Sequence, residues 1–171
     1  AAARASPAAP GTTRPPMRRG LSQPDRPQNA GTIMRMAACL GIAVDLIGPA
    51  GFDASDRNLR RAGLDYLAHL DLTRHESWEA FQAWRMTCAE LPRLVLLTTH
   101  AETGYLEHRF EPGDILLLGR ESAGVPGAVH DAADVRIKVP MRPGLRSLNV
   151  AIAAAMVTGE AVRQTGGAAL G

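Results

Sequence analysis

Residues 114–126 read DILLLGRESAGVP, and residues 134–156 read DVRIKVPMRPGLRSLNVAIAAAM. Each stretch runs from a short aliphatic segment into a glycine- or proline-bearing loop, and the second continues into an alanine-rich helical pattern. An apolar run too short for a helix and bounded by turn residues reads as a buried strand. The same reading fits AVDLIG at 43–48 and RLVLLT at 93–98. Weaker strand candidates lie at Arg19–Ser22 and Tyr66–Leu70. Helical segments alternate with these runs, which predicts an α/β domain with a mainly parallel sheet. Asn29 is placed to cap a helix closed by Gly41, Ser55 one ending at Gly63, and Ser77 one running from Trp78 to Ala89. A last helix is expected from near Ser147 to about Gln164, with Ser147 as its cap.

Outward from these segments, the 171 residues are 46% hydrophobic and 21% charged, a length and composition that one core can accommodate. Lys plus Arg number 19 against 17 acidic residues, a formal charge of +2. Such a balance creates no field strong enough to hold a nucleic acid or an anionic membrane without local contacts. Lys138 is the sole lysine. The arginine excess suits planar phosphate recognition, and a GC-rich genome produces the same excess. Cys39 and Cys88 stand far apart and no His or Cys spacing resembles a metal site, so no metal and a reducing, cytoplasmic setting are expected. The apolar run Val150–Val157 is far short of the roughly 20 residues of a membrane span. Residues 1–16, AAARASPAAPGTTRPP, offer no aliphatic side chain larger than Ala and are expected to form a disordered leader before a domain at 17–171.

Three loops carry candidate chemistry. The helix after Asn29 reads AGTIMRMAACL, with Arg35 its only charge and no evident polar stripe, so it is expected to be covered on a second side. In RESAGVP the lone acid Glu121 lies between Gly119 and Gly124, at the carboxyl end of a strand where α/β sheets take ligands. Arg146, Ser147 and Asn149 stand at the entry to the last helix. Arg57, Arg60 and Arg61 share one helix face, as a solvated cluster or a phosphate rail would. Neither a dinucleotide fingerprint nor a Walker A sequence occurs.

Taken in order, QPDRPQNAGTIMR, RRAGLDY, LTRH, LLTT, LLLGRESAGVP and VPMRPGLRSLNVA resemble the SPOUT-class tRNA 2′-O-methyltransferases that act on the wobble nucleotide, the TrmL type. The resemblance spans roughly Leu21–Gln164. It implies a C-terminal deep trefoil knot, a homodimer, S-adenosylmethionine as methyl donor without a metal, and a tRNA anticodon loop as substrate. Carried onto this sequence, it implies catalytic positions at Asn29, Arg35, Glu121, Ser147 and Asn149, and cofactor contacts at Leu97, Gly119, Val139 and Ser147. RRGLS replaces the more aliphatic first strand usual in the family and is expected to pack weakly. Ribosomal RNA or another tRNA position as target, a non-catalytic RNA-binding module, and a plain nucleotide-binding domain are the competing readings.

Overall fold

The computed structural model describes residues 17–51, 55–61, 65–120 and 123–166, with the backbone alone at Asp56, Arg60 and Arg61. The expected leader at 1–16 and the candidate Glu121 lie outside the described residues. Seven parallel strands form one sheet in the order β3-β2-β1-β6-β4-β7-β5. In chain order they are β1 (Arg18–Ser22), β2 (Ala43–Ile47), β3 (Leu72–His75), β4 (Leu94–Leu97), β5 (Thr103–Gly104), β6 (Ile115–Leu118) and β7 (Val135–Lys138). The helices are α1 (Pro27–Leu40), α2 (Asp56–Arg61), α3 (Trp78–Met86), α4 (Gly127–Ala132) and α5 (Val150–Thr165).

The four aliphatic runs become β2, β4, β6 and β7, because strands covered on both faces have no use for polar alternation. Along β6, Leu116 and Leu118 face a core shared with Ile33, Met34 and Ala37 of α1 and Ala154 and Val157 of α5. Ile115 and Leu117 face the opposite core with Phe81 of α3 and Val129 of α4. Successive side chains therefore stitch helices to both faces of the sheet.

Several expectations are corrected. Far from being weak, RRGLS is an interior strand, hydrogen-bonded to β2 on one side and β6 on the other. Gly20 makes this possible, since a Cβ there would lie 2.9 Å from Leu117 Cδ1. Residues 66–70 are not a strand: a 3-10 helix spans Asp65–His69, and the edge strand follows at Leu72–His75. Asn29 does not cap α1, whose N-cap is Arg26, with Pro27 opening the helix. Asn149, not Ser147, caps α5, its Oδ1 accepting from the Ala151 and Ile152 amides at 2.9 and 3.4 Å. Ser77 does cap α3, accepting from the Ala80 amide at 3.1 Å, but the helix stops at Met86. Helix α1 also has a polar stripe after all, exposing Gln28, Thr32 and Arg35, because its apolar residues are consumed by its own sheet and by α5.

Candidate functional site

At the carboxyl ends of β4, β6 and β7 the loops diverge around a cavity of about 640 Å³, within the range usual for small-molecule sites. Leu96–His100 after β4, Leu118–Arg120 and Ala123–Val125 after β6, and Val139, Met141 and Ser147–Val150 after β7 line it. Arg26 and Asn29 close it from the start of α1. Parallel strands point all their carboxyl ends the same way, so three separate loops meet there by topology rather than by sequence proximity.

Glycine is required at the centre of this cluster. A Cβ on Gly119 would lie 2.7 Å from the Gly124 carbonyl carbon, closer than atoms pack. Gly124 itself has φ +68, the left-handed region in which side chains are strained. The loop is held tight by paired backbone bonds, Arg120 to Gly124 at 2.9 Å and Gly124 to Arg120 at 2.7 Å. This tight turn borders the cavity together with the apolar side chains of Leu97 and Val139.

Asn149 does two things at once. Its Oδ1 caps α5, while its Nδ2 donates to Asn29 Oδ1 at 3.0 Å, joining the start of α1 to the start of α5 across 120 residues of sequence. Leu97, Gly119, Val139, Ser147, Asn149 and Asn29 all line this one cavity. Arg35 does not line it. It is exposed on α1 with its guanidinium carbon 4.7 Å from the Tyr66 ring centroid, a cation–π contact that ties two of the quoted segments together. Six residues separate Arg35 from Asn29, about 9 Å of helix rise and a different helix face. Arg57 is exposed on α2 and lies away from the cavity lining, and the side chains of Arg60 and Arg61 fall outside the described residues.

The structure adds Arg26, His100, Arg120, His130 and Met141 to the lining. None carries a local signal strong enough to be singled out in the sequence; they are collected by the three loops. Arg120 donates from Nε to the Gln23 carbonyl at 3.2 Å and from Nη2 to Gln23 Oε1 at 3.3 Å. Gln23 holds φ 47, a conformation disfavoured without glycine, so the clamp fixes a strained turn at the end of β1. Among the described residues no group of His, Cys, Asp and Glu side chains is arranged to hold a metal. No helix among them is long and apolar enough to cross a membrane.

A parallel sheet flanked by helices, with a cavity at the carboxyl ends of its strands, is the architecture of α/β proteins that take small ligands at that edge. The model of the SpoU rRNA Methylase family matches residues 17–159, and the chain belongs to that family. A tRNA (cytidine(34)-2′-O)-methyltransferase of Beijerinckia indica is 58% identical over 146 residues, covering 85% of this chain and 90% of that protein. An Escherichia coli K12 protein of the same name is 40% identical, covering 85% and 92%. A solved structure bearing on the 2-OH methylation of C/U34 on tRNA superposes with a TM-score of 0.79 at 41% identity, covering 86% of this chain and 95% of that one. The SpoU methyltransferase AviRb from Streptomyces viridochromogenes, solved with AdoMet, gives 0.80 at 28% identity, covering 90% of this chain and 59% of that one.

Proposed function

We propose that this chain transfers a methyl group from S-adenosylmethionine to the ribose 2′-hydroxyl of the pyrimidine nucleotide at tRNA position 34. The observation that carries the chemistry is the convergence of Leu97, Gly119, Val139, Ser147, Asn149 and Asn29 on one cavity. The relatives that share most of its length supply the substrate class. The residues fit the cofactor: the volume suffices, the walls are apolar at Leu97 and Val139, and the Gly119 turn brings backbone groups close. S-adenosylmethionine supplies an electrophilic methyl group on sulfonium sulfur when bound. The loops would hold it without a metal, and Ser147 would meet the ribose edge from a segment that Asn149 fixes through the α5 cap and its bond to Asn29.

Deprotonation of a weakly acidic hydroxyl needs a group that stabilises developing negative charge. Arg35 serves as that group and not as a base, because a guanidinium offers five N–H donors and no acceptor. The proton passes to phosphate or water, and Glu121 orients an arginine. A homodimer accounts for the placement of Arg35. One copy turns it away from its own cavity, where it is free to reach the site of a second. The exposed Leu145, Leu148, Ile152 and Met156, at 66, 40, 56 and 39% exposure, run along the loop before α5 and its outer face and give that second copy an apolar surface. The reading retains the C-terminal knot, supported by the way residues 139–149 enter a cavity otherwise built by the β4 and β6 loops. A tRNA substrate supports a cytoplasmic setting, and Arg57, Arg60 and Arg61 would serve as a secondary phosphate contact.

The test is incubation of the purified protein with labelled S-adenosylmethionine and unmodified tRNA, followed by mapping of the product nucleotide. Label on the ribose of position 34 is the expected result. Label confined to ribosomal RNA, or found on a base, overturns the assignment.

A further inference from the structure

Four basic side chains, Arg26, His100, Arg120 and His130, line the cavity, and no acidic side chain lines it among the described residues. Its two guanidinium groups are in different states. That of Arg120 is spent on Gln23, to which it donates through Nε and Nη2. That of Arg26 is exposed and, among the described residues, has no hydrogen-bond or ion-pair partner. The Arg26 backbone is nonetheless fixed, since its carbonyl accepts from the Ala30 amide at 3.2 Å and Pro27 opens the helix behind it. Arg26 therefore stands on an ordered stem at the mouth of the cavity, one turn before Asn29, with its charge unused.

A solvated guanidinium beside a cavity whose described lining holds no acidic side chain is suited to an incoming anion. Two anions are available in the proposed reaction: a phosphate of the RNA chain and the carboxylate of the methyl donor. The depth of the side chain discriminates between them. Arg26 is exposed at the rim, while Leu96 and Leu118, at 0 and 1% exposure, lie at the buried side of the same cavity. A polynucleotide whose ribose enters the cavity leaves its flanking phosphates at the rim. We infer that Arg26 is a substrate-positioning residue that takes a phosphate next to the target ribose. The inference rests on the RNA 2′-O-methyltransferase reading above.

The experiment compares the full-length wild type with Arg26→Ala and Arg26→Lys, measuring kcat and KM for unmodified tRNA over a range of salt concentrations. The affinity for S-adenosylhomocysteine is measured by calorimetry, and thermal unfolding verifies folding of this exposed-site variant. Arg26→Ala is expected to raise KM about tenfold, the loss of one charged hydrogen-bond contact, with kcat nearly unchanged. The slope of log affinity against log salt should shrink by about 0.7, one phosphate contact on a single strand. Arg26→Lys should recover most of the KM and the slope, since a point charge still meets a phosphate. Unchanged KM and salt slope in Arg26→Ala overturn the inference. Weakened S-adenosylhomocysteine binding with unchanged KM for tRNA also overturns it and assigns Arg26 to the donor carboxylate. A wild type inert toward RNA removes the underlying function and this inference together, an outcome visible before any variant is made.

Discussion

The two halves of the sheet handle polar groups in opposite ways. β4 and β6 are wholly aliphatic, β7 alternates Arg136 and Lys138 with Val135 and Ile137, and beyond their carboxyl ends the loops carry polar residues around the cavity. In β1, β2 and β3 the polar groups sit inside the strands and are consumed there. Asp45, fully buried in β2, accepts from Arg18 Nε at 2.7 Å and Nη2 at 3.1 Å and pairs with His75 Nε2 at 2.9 Å. Arg18 also lies 4.9 Å from the Trp84 ring centroid, so the network closes over α3. Groups so paired give the first half a polar scaffold inside its strands, while the cavity lies beyond the strand ends of the second.

The largest effect should come from breaking the consumed half. Asp45→Ala strands Arg18 and His75 beside an empty acceptor site, and about 3 kcal/mol of stability should be lost in chemical denaturation. Donor affinity measured on the remaining folded protein should be near wild type. The second effect belongs to the other half. Gly119→Ala forces a Cβ against Gly124 backbone and should weaken S-adenosylhomocysteine binding about tenfold by calorimetry, with a smaller change in unfolding midpoint.

Arg19 sharpens the contrast between the halves because it is an incompletely satisfied member of the first. Its side chain is fully buried in β1, donating from Nε to Thr158 Oγ1 at 3.0 Å and from Nη1 to the Arg18 carbonyl at 3.0 Å, while Nη2 has no partner. Burial lowers its pKa to about 10, against the opposing pull of Asp114. The charge is thus expensive to keep, and Arg19→Met should leave the protein as stable or raise its stability by about 1 kcal/mol. A large loss instead would show that the link to α5 outweighs the desolvation.

The smallest effect concerns pH. Burial, then the neighbouring Arg93 guanidinium, lowers the His108 pKa, and the ring packs edge-on against Phe110 at 4.7 Å. The folded state then resists a proton that the unfolded chain accepts. This contribution to stability is complete above the ordinary histidine pKa near 6.5 and is lost as pH falls below it. His108→Gln should flatten the acid side of the stability profile measured by denaturant titration.

Legibility in the sequence depends on how local the signal is. The aliphatic runs announce β2, β4, β6 and β7, and the motif loops after the last three announce the place of the cavity. Elements whose form is set by long-range partners are not announced. RRGLS looks too polar and too small for an interior strand until Thr158, far away in sequence, accepts from Arg19 and Leu117 fills the space over Gly20. Tyr66–Leu70 has strand-like composition, yet its backbone closes locally, the Leu70 amide donating to the Leu67 carbonyl at 3.2 Å. Ser147 and Asn149 are both capable caps, and in the folded chain Asn149 takes the role while also bonding Asn29. Arg26 and Arg120 are visible as arginines, but their different employment is a property of the folded loops alone.

A crystal structure of the protein with S-adenosylhomocysteine tests most directly whether the β4, β6 and β7 loops hold the methyl donor. The ligand is expected in the cavity bounded by Leu97, Gly119 and Val139, with its sulfur facing Ser147 and Asn149. Ligand bound instead beside the Arg18, Asp45 and His75 network, or anywhere outside those three loops, would contradict the division between a half that binds and a half that holds.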